Sequence, residues 1–120
     1  MNKPKQQGTA LESGLVKYFT DAGLKAKRLA EGGRNDLGDI ELWSERAPWG
    51  YGIVEAKSRA NFNVHQGLAK AQKKALGHPA VVIWKKLTRK GDNERRSADG
   101  EPMIVAMPLH TFVELLGGKP

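Results

Sequence analysis

Cysteine is absent from the 120 residues, which excludes disulfides, thiolate zinc sites and thiol chemistry and leaves any metal to oxygen or imidazole ligands. Long apolar runs are missing as well. Nothing approaches the roughly 18 residues of a membrane span, and the opening Met-Asn-Lys-Pro-Lys-Gln-Gln lacks the apolar stretch of a signal peptide. The expectation is a soluble, cytoplasmic protein with no membrane partner. Acidic residues are few: 13 Asp and Glu stand against 20 Lys and Arg, a formal charge of +7 with a pI near 9.8. That surplus fits a polyanionic partner, yet it equally describes a solvated basic surface, so position has to decide. The three histidines, His65, His78 and His110, have no spacing that makes a shared metal site and read as structural or surface groups.

The length predicts one folded domain over residues 9–120, because two halves would each be too small to bury a core. Residues 1–8, with Lys3, Pro4, Lys5 and Gly8, lack hydrophobic periodicity and predict a flexible basic arm. Thr9 and Glu12 have capping-box spacing, and Leu11, Leu15, Tyr18, Phe19 and Ala22 recur at helical intervals up to Gly23. A short strand is predicted at 25–29, then a turn-rich loop at 31–38. Residues 38–43, Gly-Asp-Ile-Glu-Leu-Trp, alternate strictly, with Asp39, Glu41 and Trp43 on one face and Ile40 and Leu42 on the other. A hairpin-like connection leads to a second strand at 51–57, and the two are expected to pair antiparallel. Residues 64–76 predict a helix burying Val64, Leu68, Ala71, Ala75 and Leu76, with Lys70, Lys73 and Lys74 sharing another face. Ala-Val-Val-Ile-Trp at 80–84 reads as a central strand covered on both sides. Residues 88–102 read as a charged loop, followed by a strand at 103–107 and a short helix at 109–116. The sum is an α/β fold, a mixed β-sheet flanked by helices.

Acidic residues are depleted in strands, yet Asp39 heads one predicted strand and Glu55-Ala56-Lys57 closes the next, with Glu55 and Lys57 on the same face. If these strands pair, Asp39, Glu55 and the Ala56 carbonyl gather the hard oxygen donors that suit Mg2+, with Lys57 beside a phosphate. A divalent ion there acidifies water and neutralises charge at phosphorus, which is the chemistry of phosphodiester hydrolysis. Glu12 either leans over the same site or only completes its capping box. Asp39 and Glu55 have their own plain alternative, as strand-end carboxylates paired with surface cations.

The ordered set, a helix with Glu12, then Gly38-Asp39-Ile40, then Ile53-Val54-Glu55-Ala56-Lys57, then a helix and an apolar strand, resembles the PD-(D/E)xK nuclease superfamily. Within it the chain is most similar to archaeal-type and bacteriophage Holliday junction resolvases, over residues 9–86 and again at 103–116. The resemblance implies a restriction-endonuclease-like fold with an αβββαβ core plus an extra strand and a C-terminal helix. It implies that Glu12, Asp39 and Glu55 bind Mg2+, with Mn2+ as a substitute, and that Lys57 is the catalytic lysine. It further implies a homodimer that nicks four-way DNA junctions symmetrically. The chain departs from the pattern in carrying Gly38 in place of proline before Asp39, and in having no serine in the loop at 33–38, where Arg34 or Asn35 is the candidate phosphate contact and Asp36 a rival carboxylate.

Lys27, Arg28, Arg34, Arg59, Lys70, Lys73 and Lys74 surround the proposed site and are the candidate DNA-binding residues. Trp84 is expected in the core, whereas Trp49, between Pro48 and Gly50, is a candidate DNA wedge or interface residue. Val81, Ile83, Phe112 and Leu116 serve either the core or a dimer interface. Two other readings stay open: a different PD-(D/E)xK endonuclease acting on duplex or flap DNA, and a non-catalytic DNA-binding protein of the same fold.

Overall fold

In the computed structural model, residues 3–29, 37–45, 48–90, 94–97 and 103–120 are described, with 3–8, 88–90 and 94–97 described by their backbone alone. The elements run α1 (Lys3–Asp21), β1 (Lys25–Arg28), β2 (Ile40–Ser44), β3 (Gly50–Arg59), α2 (Val64–Lys74), β4 (Ala80–Lys90), β5 (Glu94–Ser97), β6 (Ile104–Ala106) and α3 (Leu109–Leu115). The strands form one sheet in the order β1-β2-β3-β4-β5, with β6 also on β4. β1 to β3 pair antiparallel, as the alternation predicts for β2 and β3. α2 then crosses over so that β4 lies parallel to β3, and β5 and β6 return antiparallel to β4. The fold is therefore α/β, a mixed sheet flanked by helices. Among the described residues no helix is long and apolar enough to cross a membrane.

Side-chain alternation on the central strands divides the core in two. Val54, Ala56, Val81 and Ile83 point towards α1 and meet Leu11 and Leu15, which lie one helical turn apart. Ile53, Ala80 and Val82 point the other way and meet Ala71 and Ala75 of α2. Burial on both faces is why 80–84 reads as an uninterrupted apolar run. Glu55 falls on the α2 side of β3, a place its neighbours give to Ile53 and Val82, and it is correspondingly buried.

Several expectations are corrected. The helix expected from Thr9 begins at Lys3, so the backbone of residues 3–8 is helical; Pro4 sits in the first turn, where its missing N–H forfeits no intrahelical bond. Thr9 is thus inside the helix and cannot cap it with Glu12. Part of the predicted loop at 88–102 is strand: β4 continues to Lys90, and Glu94–Ser97 pairs back on it. Leu76, expected in the buried stripe of α2, follows the helix with φ 52° and is 76% exposed. Trp49 is no wedge. Its ring is buried against Gly52 and its indole N–H donates to the Leu42 carbonyl at 2.9 Å. Trp84, expected in the core, is only half-buried, edge-on to Phe62, and donates to the Arg59 carbonyl at 2.9 Å.

A Cβ at Gly52 would run into the Trp49 ring. Because that ring is fixed by its hydrogen bond and its burial, Gly52→Ala is expected to destabilise the fold by about 1–3 kcal/mol. Urea unfolding of the two proteins measures this, and an unchanged midpoint would contradict the packing described.

Candidate functional site

The site is built where β2 begins and β3 runs on. The Asp39 amide donates to the Val54 carbonyl at 3.1 Å, and Asp39 Oδ2 accepts from the Ala56 amide at 2.8 Å. The register Ile40↔Val54, carried one step further, sets Asp39 opposite Glu55 on the same face of the sheet. Gly38 makes this approach feasible: its φ of 149° is unfavourable for other residues, and a Cβ there would strike Ile53 Cγ2 and stand 3.4 Å from Glu55 Oε1. Glycine before the aspartate is therefore a steric requirement in this chain.

Two carboxyls held this way repel. Burial pushes the Asp39 pKa from 3.8 up to about 7, helped by the negative charges of Glu55 and Glu12 and by hydrogen bonding to Glu55, while the Ala56 amide pulls it down. Glu55 has its side chain only 7% exposed, with the Lys74 ammonium 2.8 Å from Oε1. That distance would suit a hydrogen bond, but the ammonium is off the bonding direction, and Oε1 is a buried acceptor with no hydrogen-bond donor. The contact is accordingly an ion pair. It raises the Lys74 pKa, with burial opposing and the Asp39 charge adding. Hard oxygen donors, a buried acceptor without a donor and a carboxyl that ionises only near neutrality are what a divalent cation would satisfy, so the residues fit Mg2+ or Mn2+.

Glu12 does not complete a cage. Its Oε1 accepts from Arg28 Nε at 3.2 Å, and it reaches Asp39 through its charge. Among the described residues no three His, Asp or Glu side chains are gathered to hold a metal ion. The converging pair is Asp39 with Glu55.

Beside this pair a cleft of about 350 Å³ opens between the end of β3 and α2. Glu55, Lys57 and Arg59 line one wall, Gln66, Lys70 and Lys74 of α2 the other, and Asn61 and Asn63 come from the turn between them. Lys57 sits half-buried beside Glu55, and its side chain enters no ion pair or hydrogen bond among the described residues. The sequence-based DNA-binding set divides here. Arg59, Lys70 and Lys74 face the cleft. Lys73, on the same side of α2 as Lys70 and Lys74, is exposed and does not line it. Lys27 is exposed on β1, opposite Glu41 and away from the cleft. Arg28, expected on DNA, faces α1 and is bound to Glu12, each side chain less than one-fifth exposed. Arg34, with Asn35 and the rival Asp36, lies outside the described residues.

Two features were missed from sequence. The ammonium of Lys74 belongs to Glu55, and the available signal was its position three residues after Ala71 and one before Ala75, at the border of the buried stripe. Asn63 accepts from the Gln66 amide at 3.0 Å and caps α2 at the mouth of the cleft; an Asn just before a helical pattern is the readable mark of such a cap. Compared with protein-family models, curated proteins and solved structures, the chain matches none of them.

Proposed function

We propose that this chain is a metal-dependent PD-(D/E)xK endodeoxyribonuclease with a restriction-endonuclease-like fold, and that it resolves four-way DNA junctions as a homodimer. The observation that carries the reading is the antiparallel placement of Asp39 against Glu55, with Lys57 next on the same face and a cation-lined cleft alongside. A purely DNA-binding surface gains nothing from a buried and a half-buried carboxylate near phosphate unless a cation intervenes.

Asp39 and Glu55 are the residues that would hold Mg2+ or Mn2+, which when bound supplies an acidified water and neutralises charge on the scissile phosphate. Lys57, with no partner among the described residues, orients the attacking water or binds the developing negative charge. Arg59 and Lys70 bind flanking phosphates, which positions the strand without reading its bases. Junction resolution needs two matched cuts, which a twofold dimer provides from one catalytic domain per chain. Apolar surface available for it includes β6, Phe112 of α3, 47% exposed, and Leu116 just after the helix, 72% exposed, whereas Val81 and Ile83 belong to the core.

If Arg59 and Lys70 each neutralise one phosphate, their joint replacement by Ala lowers the slope of log affinity against log salt by about 1.8, and Lys73→Ala leaves it unchanged. Binding of a labelled junction across a salt series in EDTA reads both; an unaltered slope in the double variant would remove the cleft from the phosphate path.

The test of the function is cleavage, with Mg2+, of a four-way junction, a linear duplex and a flap that share one sequence. Paired symmetric nicks confined to the junction support the reading. Equal cutting of all three moves the protein to another PD-(D/E)xK endonuclease, and tight binding without any cutting moves it to the non-catalytic class.

A further inference from the structure

We propose that the Lys74 ammonium occupies the cation seat of the Asp39–Glu55 pair, so that Lys74 and a divalent metal bind there in exchange for one another. The inference rests on the metal-site reading above and gives Lys74 a role on the carboxylates in addition to one on phosphate.

The two partners of the ion pair differ in freedom. Glu55 is held in the middle of β3 with its side chain 7% exposed, while the Lys74 side chain is 43% exposed on the last turn of α2. The carboxylate cannot leave and the ammonium can, because a flexible four-carbon stem lets it reach either Glu55 or the open cleft. The seat is poorly matched to an ammonium, since Lys74 stands 2.8 Å from Oε1 without an aligned hydrogen bond. One positive charge also answers two facing carboxyls. A divalent ion supplies the second charge and the oxygen coordination that the ammonium lacks.

Displacement has a destination. Lys57, Arg59 and Lys70 line the same cleft as Lys74, so an expelled ammonium adds to the cationic wall where a phosphate would lie. Metal and DNA phosphate should therefore bind cooperatively: metal releases Lys74, and phosphate holds it away from the carboxylates. Without metal, Lys74 keeps Glu55 from standing as an uncompensated buried charge.

The experiment measures metal binding directly, by loss of the free Mn2+ electron paramagnetic resonance signal at mildly alkaline pH without DNA, for wild type, Lys74→Met, Lys74→Gln and Lys70→Met. Circular dichroism checks that each is folded, and the two Lys74 variants guard against failure of either one. With the competitor removed, both Lys74 variants are expected to bind Mn2+ about tenfold more tightly than wild type, a change of about 1.4 kcal/mol. Lys70→Met removes a charge from the same cleft without touching Glu55 and should shift affinity by about twofold or less. Affinity in the Lys74 variants equal to or below wild type, an equal gain in Lys70→Met, or no Mn2+ binding by any of the four would overturn the exchange. Tightened Mn2+ binding by a protein that cuts no DNA would leave the exchange standing and remove the nuclease reading alone.

Discussion

Glu55→Gln is expected to lower Mg2+-dependent DNA hydrolysis by at least about 10³-fold, the scale on which loss of a central electrostatic group acts. The substitution keeps the shape of the side chain and removes its charge. It therefore leaves packing on the α2 side of β3 unchanged and takes away half of the carboxylate pair. Stability should change little, because Lys74, 43% exposed, can turn into water once its partner is neutral. DNA binding in EDTA should be kept or tightened, since a negative charge beside the phosphate path is gone. Single-turnover cleavage with enzyme in excess, beside junction binding in EDTA, separates the two effects. A cleavage rate within about tenfold of wild type would show that Glu55 holds no essential metal.

The second large effect is on stability against pH in the absence of divalent metal. Asp39 has its pKa raised from 3.8 to about 7, by burial first and by Glu55 second. Between those values the unfolded chain has released the Asp39 proton and the folded protein has kept it, so stability falls as pH rises through this window and levels off above it. At about 1.4 kcal/mol per pH unit, reduced for the part of the side chain that water reaches, the loss amounts to about 2–4 kcal/mol. Lys74 acts with the opposite sense in a different range: raised above 10.5 by its contact with Glu55, it supports the fold throughout the acid window and ceases to only at higher pH. Asp39→Asn cannot ionise and should lose the slope between pH 4 and 7. Saturating Mg2+ should flatten it in wild type by neutralising the pair. Urea unfolding at a series of pH values tests this, and an equal slope in Asp39→Asn would place its origin elsewhere.

What can be read from the sequence follows from how local each signal is. The alternation at 38–43 and the acidic residues of Glu55-Ala56-Lys57 are period-two features, so the pairing of β2 with β3 and the shared face of Asp39 and Glu55 are legible in the order of the residues alone. The continuous apolar run at 80–84 likewise marks the covered position of β4. β5 carries no such sign, since Glu-Arg-Arg-Ser has no apolar rhythm and becomes a strand only by pairing with the end of β4. Residues 3–8 lack an apolar rhythm and so give no sign of the helix they begin, although a first-turn position suits Pro4. Trp49 lies in a Pro and Gly connection and reads as exposed, whereas the space to bury it is created by Gly52, on a strand folded back against it. The partners of basic residues are the least legible. Arg28 and Lys74 look like surface charges in a basic chain, and only the placement of α1 over β1 and of α2 over β3 turns them towards Glu12 and Glu55.

The central claim is that Asp39 and Glu55 form a metal-dependent hydrolytic centre for branched DNA. The most direct measurement is cleavage of one synthetic four-way junction by wild type in Mg2+, by wild type in EDTA, and by Asp39→Ala in Mg2+, with junction binding followed in each. Symmetric paired nicks in the first condition alone, with binding retained in all three, are the result the account predicts. Nicks that persist in EDTA or in Asp39→Ala would contradict it.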